Sequence, residues 1–238
     1  RNSAAAYMRI ARRLRAEMTL CIYSPFVHGA AGRGERLDMH IPDSRRAKTP
    51  GLRAYNKKTV RRYLDGGPDG EPYDVIFIAD GSVLAEKEMQ QKLLELVREG
   101  AVLVMTGRRA WPKEGEFLAD HWPARPSKRR GRTKRSWMGG GSTPTGVPET
   151  AGLPLRLLKA HTWQPIAEAT EGAVALSTGQ AGSAFKRQSG KGTLLFVPTG
   201  PISRVHNALG RIGRRYDHDE IWLRFWDQTL HELVRGAD

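Results

Sequence analysis

YDVIFIADGSVLAEKEMQQKLLELVREGAVLVMTGRR, residues 73–109, holds the order of elements that decides the fold. VIFI (75–78) is an unbroken apolar run of strand length, closed by the turn residues Asp80-Gly81-Ser82. Met89, Leu93, Leu96 and Val97 then recur at helical spacing and form one apolar stripe. Glu99-Gly100 reads as a helix stop, because glycine accepts the left-handed backbone that closes many helices. AVLVM (101–105) is a second apolar run. Strand, helix and strand in so short a span make a βαβ unit, which implies adjacent parallel strands, both buried, joined by a right-handed crossover.

Outward from this unit the same periods continue. Tyr7, Ile10, Ala11, Leu14 and Met18 mark an amphipathic helix capped by Asn2 or Ser3, and TLCIY (19–23) a buried strand ending at Ser24-Pro25. Residues 28–56, rich in glycine and proline, read mainly as loop, and 57–64 as a short basic helix. On the other side, residues 123–154 combine a basic run, Gly139-Gly140-Gly141-Ser142 and several prolines, and read as a flexible insertion. AVAL (173–176) and TLLFV (193–197) are strands. A last helix from Glu220 presents Trp222, Phe225, Trp226, Leu230 and Leu233. Together these predict one domain over 1–238, an α/β fold with a flavodoxin-like open parallel sheet flanked by helices. Such folds usually begin with a strand, and this sequence begins with a helix, so a first strand is expected upstream of Arg1.

SGKGTLLFVPTG (189–200) contains GKGT and invites a phosphate-loop reading. That loop needs G-x-x-x-x-G-K-[ST] after a strand and before a helix, so that backbone N–H groups face the phosphates. Here Phe185 stands where the first glycine belongs, Gly192 replaces the metal-binding hydroxyl, and the motif precedes the apolar run. It reads as a tight turn delivering a strand.

With 238 residues, 39% of them hydrophobic, the chain can bury one good core. No run approaches the roughly 18 apolar residues of a membrane helix. The single cysteine, Cys21, excludes an intrachain disulfide and a cysteine-based zinc site, without fixing the compartment, for which the cytoplasm is favoured. The net charge of +14 predicts attraction to polyanions. Lys128, Arg129, Arg130, Arg132, Lys134 and Arg135 concentrate six of these charges in one run.

Residues 73–109 also resemble the central segment of class I glutamine-amidotransferase-like domains. SGKGTLLFVPTG is similar to a glycine-led strand of that group, and WLRFWDQTLHELVRG (222–236) to its closing helix. The likeness is nearest to non-catalytic forms, such as the trimerisation domain of bacterial β-galactosidases and related amidotransferase-like domains. It implies a module for assembly or recognition inside a larger, carbohydrate-active protein, with a protein partner or a second copy of itself. The family's glutaminase chemistry needs a nucleophilic Cys in a sharp turn after a strand, with His and Glu partners. The matching turn, Met105-Thr106-Gly107-Arg108, has no Cys. Cys21 lies inside an apolar strand and reads as a structural thiol. No catalytic residue, cofactor or metal is therefore expected.

Open parallel sheets bind ligands beyond the carboxyl ends of their strands. Those ends present Asp80, Ser82, Thr106, Arg108, Arg109, Thr199, Arg204 and His206 as a candidate ligand site. Asp80 with Arg108 could grip an anion or serve a hydrolase; the plainer role is a helix cap beside solvated arginines. Tyr216-Asp217-His218-Asp219-Glu220 groups metal-type ligands, but Asp219 and Glu220 also suit a helix start. His161 and Trp163 have no metal partner at helical spacing and read as packing. The basic run could neutralise phosphates, with Trp111, Trp122 and Trp137 available to stack on bases, or it could be a solvated insertion.

Overall fold

The computed structural model describes residues 2–16, 20–22, 52–54, 64–66, 70–78, 87–106, 117–126, 143–155, 167–178, 184–197 and 216–236. In chain order these form α1 (Asn2–Leu14), β1 (Leu20–Ile22), β2 (Leu52–Ala54), β3 (Val75–Ile78), α2 (Lys87–Glu99) and β4 (Val102–Thr106). A first 3₁₀ turn (Phe117–His121), β5 (Ala124–Pro126), β6 (Thr143–Pro144) and a second 3₁₀ turn (Pro148–Thr150) follow. The chain continues through β7 (Ala167–Ala169), β8 (Val174–Ala175), β9 (Ser177–Thr178), β10 (Phe185–Ser189), β11 (Gly192–Val197) and α3 (Tyr216–Arg235).

The apolar runs pair as the βαβ reading requires. β3 and β11 flank β4, both parallel to it, with Phe77 opposite Val104 and Phe196 opposite Met105. β10 returns antiparallel to β11, and β8 antiparallel to β10, giving the order β3-β4-β11-β10-β8. Successive side chains on a strand point to opposite faces, so each central strand feeds two cores. Leu103, Met105, Leu194 and Phe196 pack with Leu93, Leu94 and Val97 of α2 and with Leu118 and Trp122. Val102, Val104, Leu195 and Val197 pack with Ile10 of α1 and with Phe225, Trp226 and Leu230 of α3. Helices cover both faces of a mostly parallel sheet, which is the flavodoxin-like open sandwich expected from the sequence.

The end of α2 and the start of β11 are built together. Gly100, at φ 138°, donates to Val97 O, and Ala101 donates to Leu96 O, which closes the helix as a Schellman motif. Gly190-Lys191 of the GKGT stretch is the two-residue turn of the β10–β11 hairpin, closed by the pair Ser189 and Gly192. Gly190 takes φ 65°, the positive value that such turns demand of their first residue. Lys191 N donates to Arg98 O at 3.0 Å, docking the turn on the helix end. The Lys191 N–H is spent on a helix-end carbonyl, and the turn leads into a strand and not a helix, so the backbone cradle of a phosphate loop is absent.

Several boundaries differ from expectation. β3 is only half-buried over Val75–Phe77, because among the described residues β4 is its one strand neighbour in the sheet. The stretch read as loop, 28–56, contains β2, which pairs in parallel with β1; three residues with Arg53 at the centre carry no strand period. α3 begins at Tyr216 and not at Glu220, and α1 already includes Asn2 and Ser3. Polar residues favoured as caps are equally at home in a first turn, which blurs that boundary. The insertion read over 123–154 is structured at both of its ends. β5 pairs with β7 and β6 with β9, while Glu149, Thr150, Leu153 and Leu155 are buried. Only its middle, 127–142, lies outside the described residues.

Candidate functional site

The carboxyl ends of β3, β4 and β11 mark the sheet edge where a ligand is expected, and Thr106 closes β4 there. Its side chain is spoken for. Thr106 is 2% exposed, and its Oγ1 lies 3.1 Å from the hydroxyl of Tyr7, carried in from α1. The Tyr7 ring stands edge-on to Phe77 at 5.1 Å, and Phe77 in turn meets Trp226 of α3 at 5.4 Å. One aromatic chain therefore joins α1, β3 and α3 beneath the polar pair. Burial pushes the Tyr7 phenol above its ordinary 10.0, an effect only partly offset by the Thr106 hydrogen bond. Burial thus favours the neutral hydroxyl of Tyr7.

This pair yields a measurable expectation. Tyr7→Phe leaves a buried Thr106 hydroxyl without its partner and should lower stability by about 1–2 kcal/mol. The unfolded phenol ionises at 10.0 and the folded one only above it, so above that pH the folded state binds more protons. Wild-type stability should then fall as pH rises past 10.0, and this component should be missing from Tyr7→Phe. Urea midpoints of both proteins on either side of that pH check it; parallel losses would remove Tyr7 as the cause.

Of the other strand-end candidates, Asp80, Ser82, Arg108, Arg109, Thr199, Arg204 and His206 lie outside the described residues. So do the basic run from Lys128 to Arg135, His161 and Trp163. Cys21 falls in β1, in register with Arg53 of β2. Glu220, considered with the metal-type ligands, accepts from Arg13 Nη2 at 3.1 Å and from Arg224 Nε at 3.2 Å. Among the described residues no group of three His, Cys, Asp or Glu side chains is placed to hold a metal. No helix among them is long and apolar enough to cross a membrane.

A second polar cluster was hidden in the proline-rich stretch. Glu149, 3% exposed, forms an ion pair through Oε1 with Lys186 of β10, and its Oε2 has no hydrogen-bond partner. The 3₁₀ turn that carries it is fixed by α3. Thr229 Oγ1 donates to Glu149 O at 3.1 Å, and Gln228 Nε2 to Pro148 O and Ala151 O at 2.8 and 3.0 Å. Thr150 Oγ1 donates to Leu176 O at 2.8 Å. Nothing in the local sequence announces this, since a Glu after a Pro looks like any surface turn. The only signal was the apolar pair Leu153 and Leu155 just beyond it.

No family model matches the chain, and no curated protein matches it in sequence. Two solved structures with a related shape are both cytoplasmic proteins of Salmonella typhimurium. STM1381, from strain LT2, is 18% identical over 68% of this chain and 72% of its own, with a TM-score of 0.44. STM3548 is 15% identical over 75% of this chain and 74% of its own, with a TM-score of 0.49.

Proposed function

We propose that the chain is a non-catalytic amidotransferase-like module that serves assembly or recognition within a larger protein. The observation that carries this reading is the end of β4. Catalytic members of the group the sequence resembles build their nucleophile into the sharp turn that follows a strand. Here the strand ends on Thr106, whose hydroxyl is closed off by Tyr7, and the turn that follows contains no Cys. The polar group at that position stabilises packing between α1 and the sheet. An assembly role predicts a defined oligomer in size-exclusion chromatography with light scattering. A monomer at every concentration, in the longer protein as well as in this chain, would overturn it.

A second reading, polyanion binding through 127–136, is favoured by how charge is distributed. The described residues hold 14 of the 39 Lys and Arg and 15 of the 25 Asp and Glu, a net charge of −1. The remaining segments therefore carry +15, six of it in that run. With almost no net charge on the described residues, long-range attraction to a polyanion would come mainly from the remaining segments. Deleting 127–136 should then abolish retention on heparin and flatten its salt dependence; unchanged retention would sink this reading.

A further inference from the structure

On the side of the sheet covered by α2, basic residues from four elements are brought close together by the backbone and side-chain contacts below. Arg98 stands in the last turn of α2, His121 ends the first 3₁₀ turn, Arg187 lies in β10, and Lys191 sits in the hairpin turn. Backbone and side-chain contacts tie them together. Lys191 N donates to Arg98 O at 3.0 Å. Arg187 Nη1 donates to the carbonyl of Asp120, the residue before His121, at 2.8 Å. The His121 ring is propped against Phe117, with centroids 5.6 Å apart. Among the described residues, none of the four forms an ion pair with a carboxylate.

Fold stability accounts for little of this. A cation at the end of α2 suits the helix dipole, which explains Arg98. It does not explain Arg187 and His121, which belong to other elements. The helix-end carbonyls of Leu96, Val97 and Arg98 are already taken by the N–H groups of Gly100, Ala101 and Lys191. None of the four cations is therefore needed to cap α2, and among the described residues Arg187 alone of the four holds a turn carbonyl, that of Asp120. His121 shows the consequence: its burial and the charges of Arg98 and Arg187 lower its pKa below the ordinary 6.5, with Asp120 opposing. An anion placed between these groups would relieve the repulsion that Arg98 and Arg187 exert on the charged imidazole.

We propose that Arg98, His121 and Arg187 form a binding site for a phosphate group, with Lys191 adding charge at its rim. Guanidinium groups offer N–H pairs that match phosphoryl oxygens, and Arg187 uses only one of its five N–H bonds on Asp120. The phosphate could belong to a free polyphosphate or to a nucleic-acid backbone, and the test distinguishes them. The full chain is titrated with inorganic tripolyphosphate and, separately, with a single-stranded oligonucleotide, while the ring signals of His121 are followed by NMR. His121→Asn identifies those signals. The site predicts a saturable shift of the His121 ring with at least one ligand, and a move of its titration to higher pH once the anion is bound. Arg187→Gln should weaken that binding about tenfold, the effect of one charge-assisted hydrogen bond. A response to tripolyphosphate alone assigns the site to free phosphate anions, and a response to the oligonucleotide assigns it to a phosphodiester backbone. His121 signals unmoved by both, or undiminished affinity in both Arg187→Gln and Arg98→Gln, would overturn the site. Oligonucleotide binding that leaves His121 untouched runs through other basic segments and counts as no response of this site.

Discussion

Gly192→Ala is expected to lose about 3 kcal/mol, among the largest effects of any methyl-sized change in this protein. Gly192 opens β11 opposite Ser189, where the hairpin runs over the end of α2. A Cβ at this position would collide with the carbonyl oxygens of Val97 and Ala101 and lie 2.8 Å from the carbonyl carbon of Gly100. All three are backbone atoms locked by the Schellman closure and by entry into the buried strand β4, so none can swing aside. Gly190→Ala is the milder neighbour: its Cβ would stand 2.7 Å from Arg98 Cα, at φ 65°, less close than the Gly192 contacts and in an exposed turn. Gly152 supplies the control. It has φ 71° and open space around it, so Gly152→Ala should cost only the left-handed strain of about 1–2 kcal/mol. Urea unfolding of the three variants should rank them in this order. A Gly192→Ala protein as stable as Gly152→Ala would show that the hairpin does not rest on α2. The glycines of GKGT are therefore explained by backbone contact with a helix end, and not by a phosphate.

That distinction shows how far the sequence could be read. The βαβ unit was legible because VIFI, the Met89 to Val97 stripe and AVLVM each carry a full period, and Gly100 punctuates them. β4 reads as a buried strand because its apolar run is unbroken, and the structure buries it throughout, as it does the equally unbroken β11. β10 was not legible: FKRQS has one apolar residue in five, since its strand lies next to the short β8 and exposes Gln188. Its place is set by its pairing with β11, which is information held elsewhere in the chain. The turn around Glu149 failed for the opposite reason. Proline and glycine suggest a flexible insertion, yet here they shape a 3₁₀ turn that α3 holds through Gln228 and Thr229. Thr106 was picked out by its position at a strand end, but its partner Tyr7 stands 99 residues away and looked like one more member of a helical stripe. The convergence of Arg98, His121 and Arg187 has no sequence signature, because three elements contribute one residue each.

Lys186→Met should destabilise the protein by about 3 kcal/mol, although Lys186 itself is the more exposed partner of its pair. Its removal strands the Glu149 carboxylate, whose Oε2 already has no hydrogen bond and whose Oε1 would lose its cation. The carboxylate cannot turn outward to find water, because Gln228, Thr229 and Thr150 pin the backbone on either side of it. Glu149→Gln should cost less, about 1 kcal/mol, since the amide needs no counter-charge and the Lys186 ammonium can extend along its apolar stem to solvent. Removing both charges with Glu149→Leu and Lys186→Met should then recover much of the loss, because a buried ion pair and a well-packed apolar pair are often close in stability. Chemical denaturation of the singles and the double closes the cycle, with a coupling energy of about 2 kcal/mol expected. A Lys186→Met protein within about 0.5 kcal/mol of wild type would mean that the turn opens and hydrates the carboxylate. The cycle also decides whether 143–155 belongs to the cooperative unit. If it does, Lys186→Met shifts a single transition for the whole sandwich; if it is an appended loop, the variant frees that segment to proteolysis and leaves the main transition where it was.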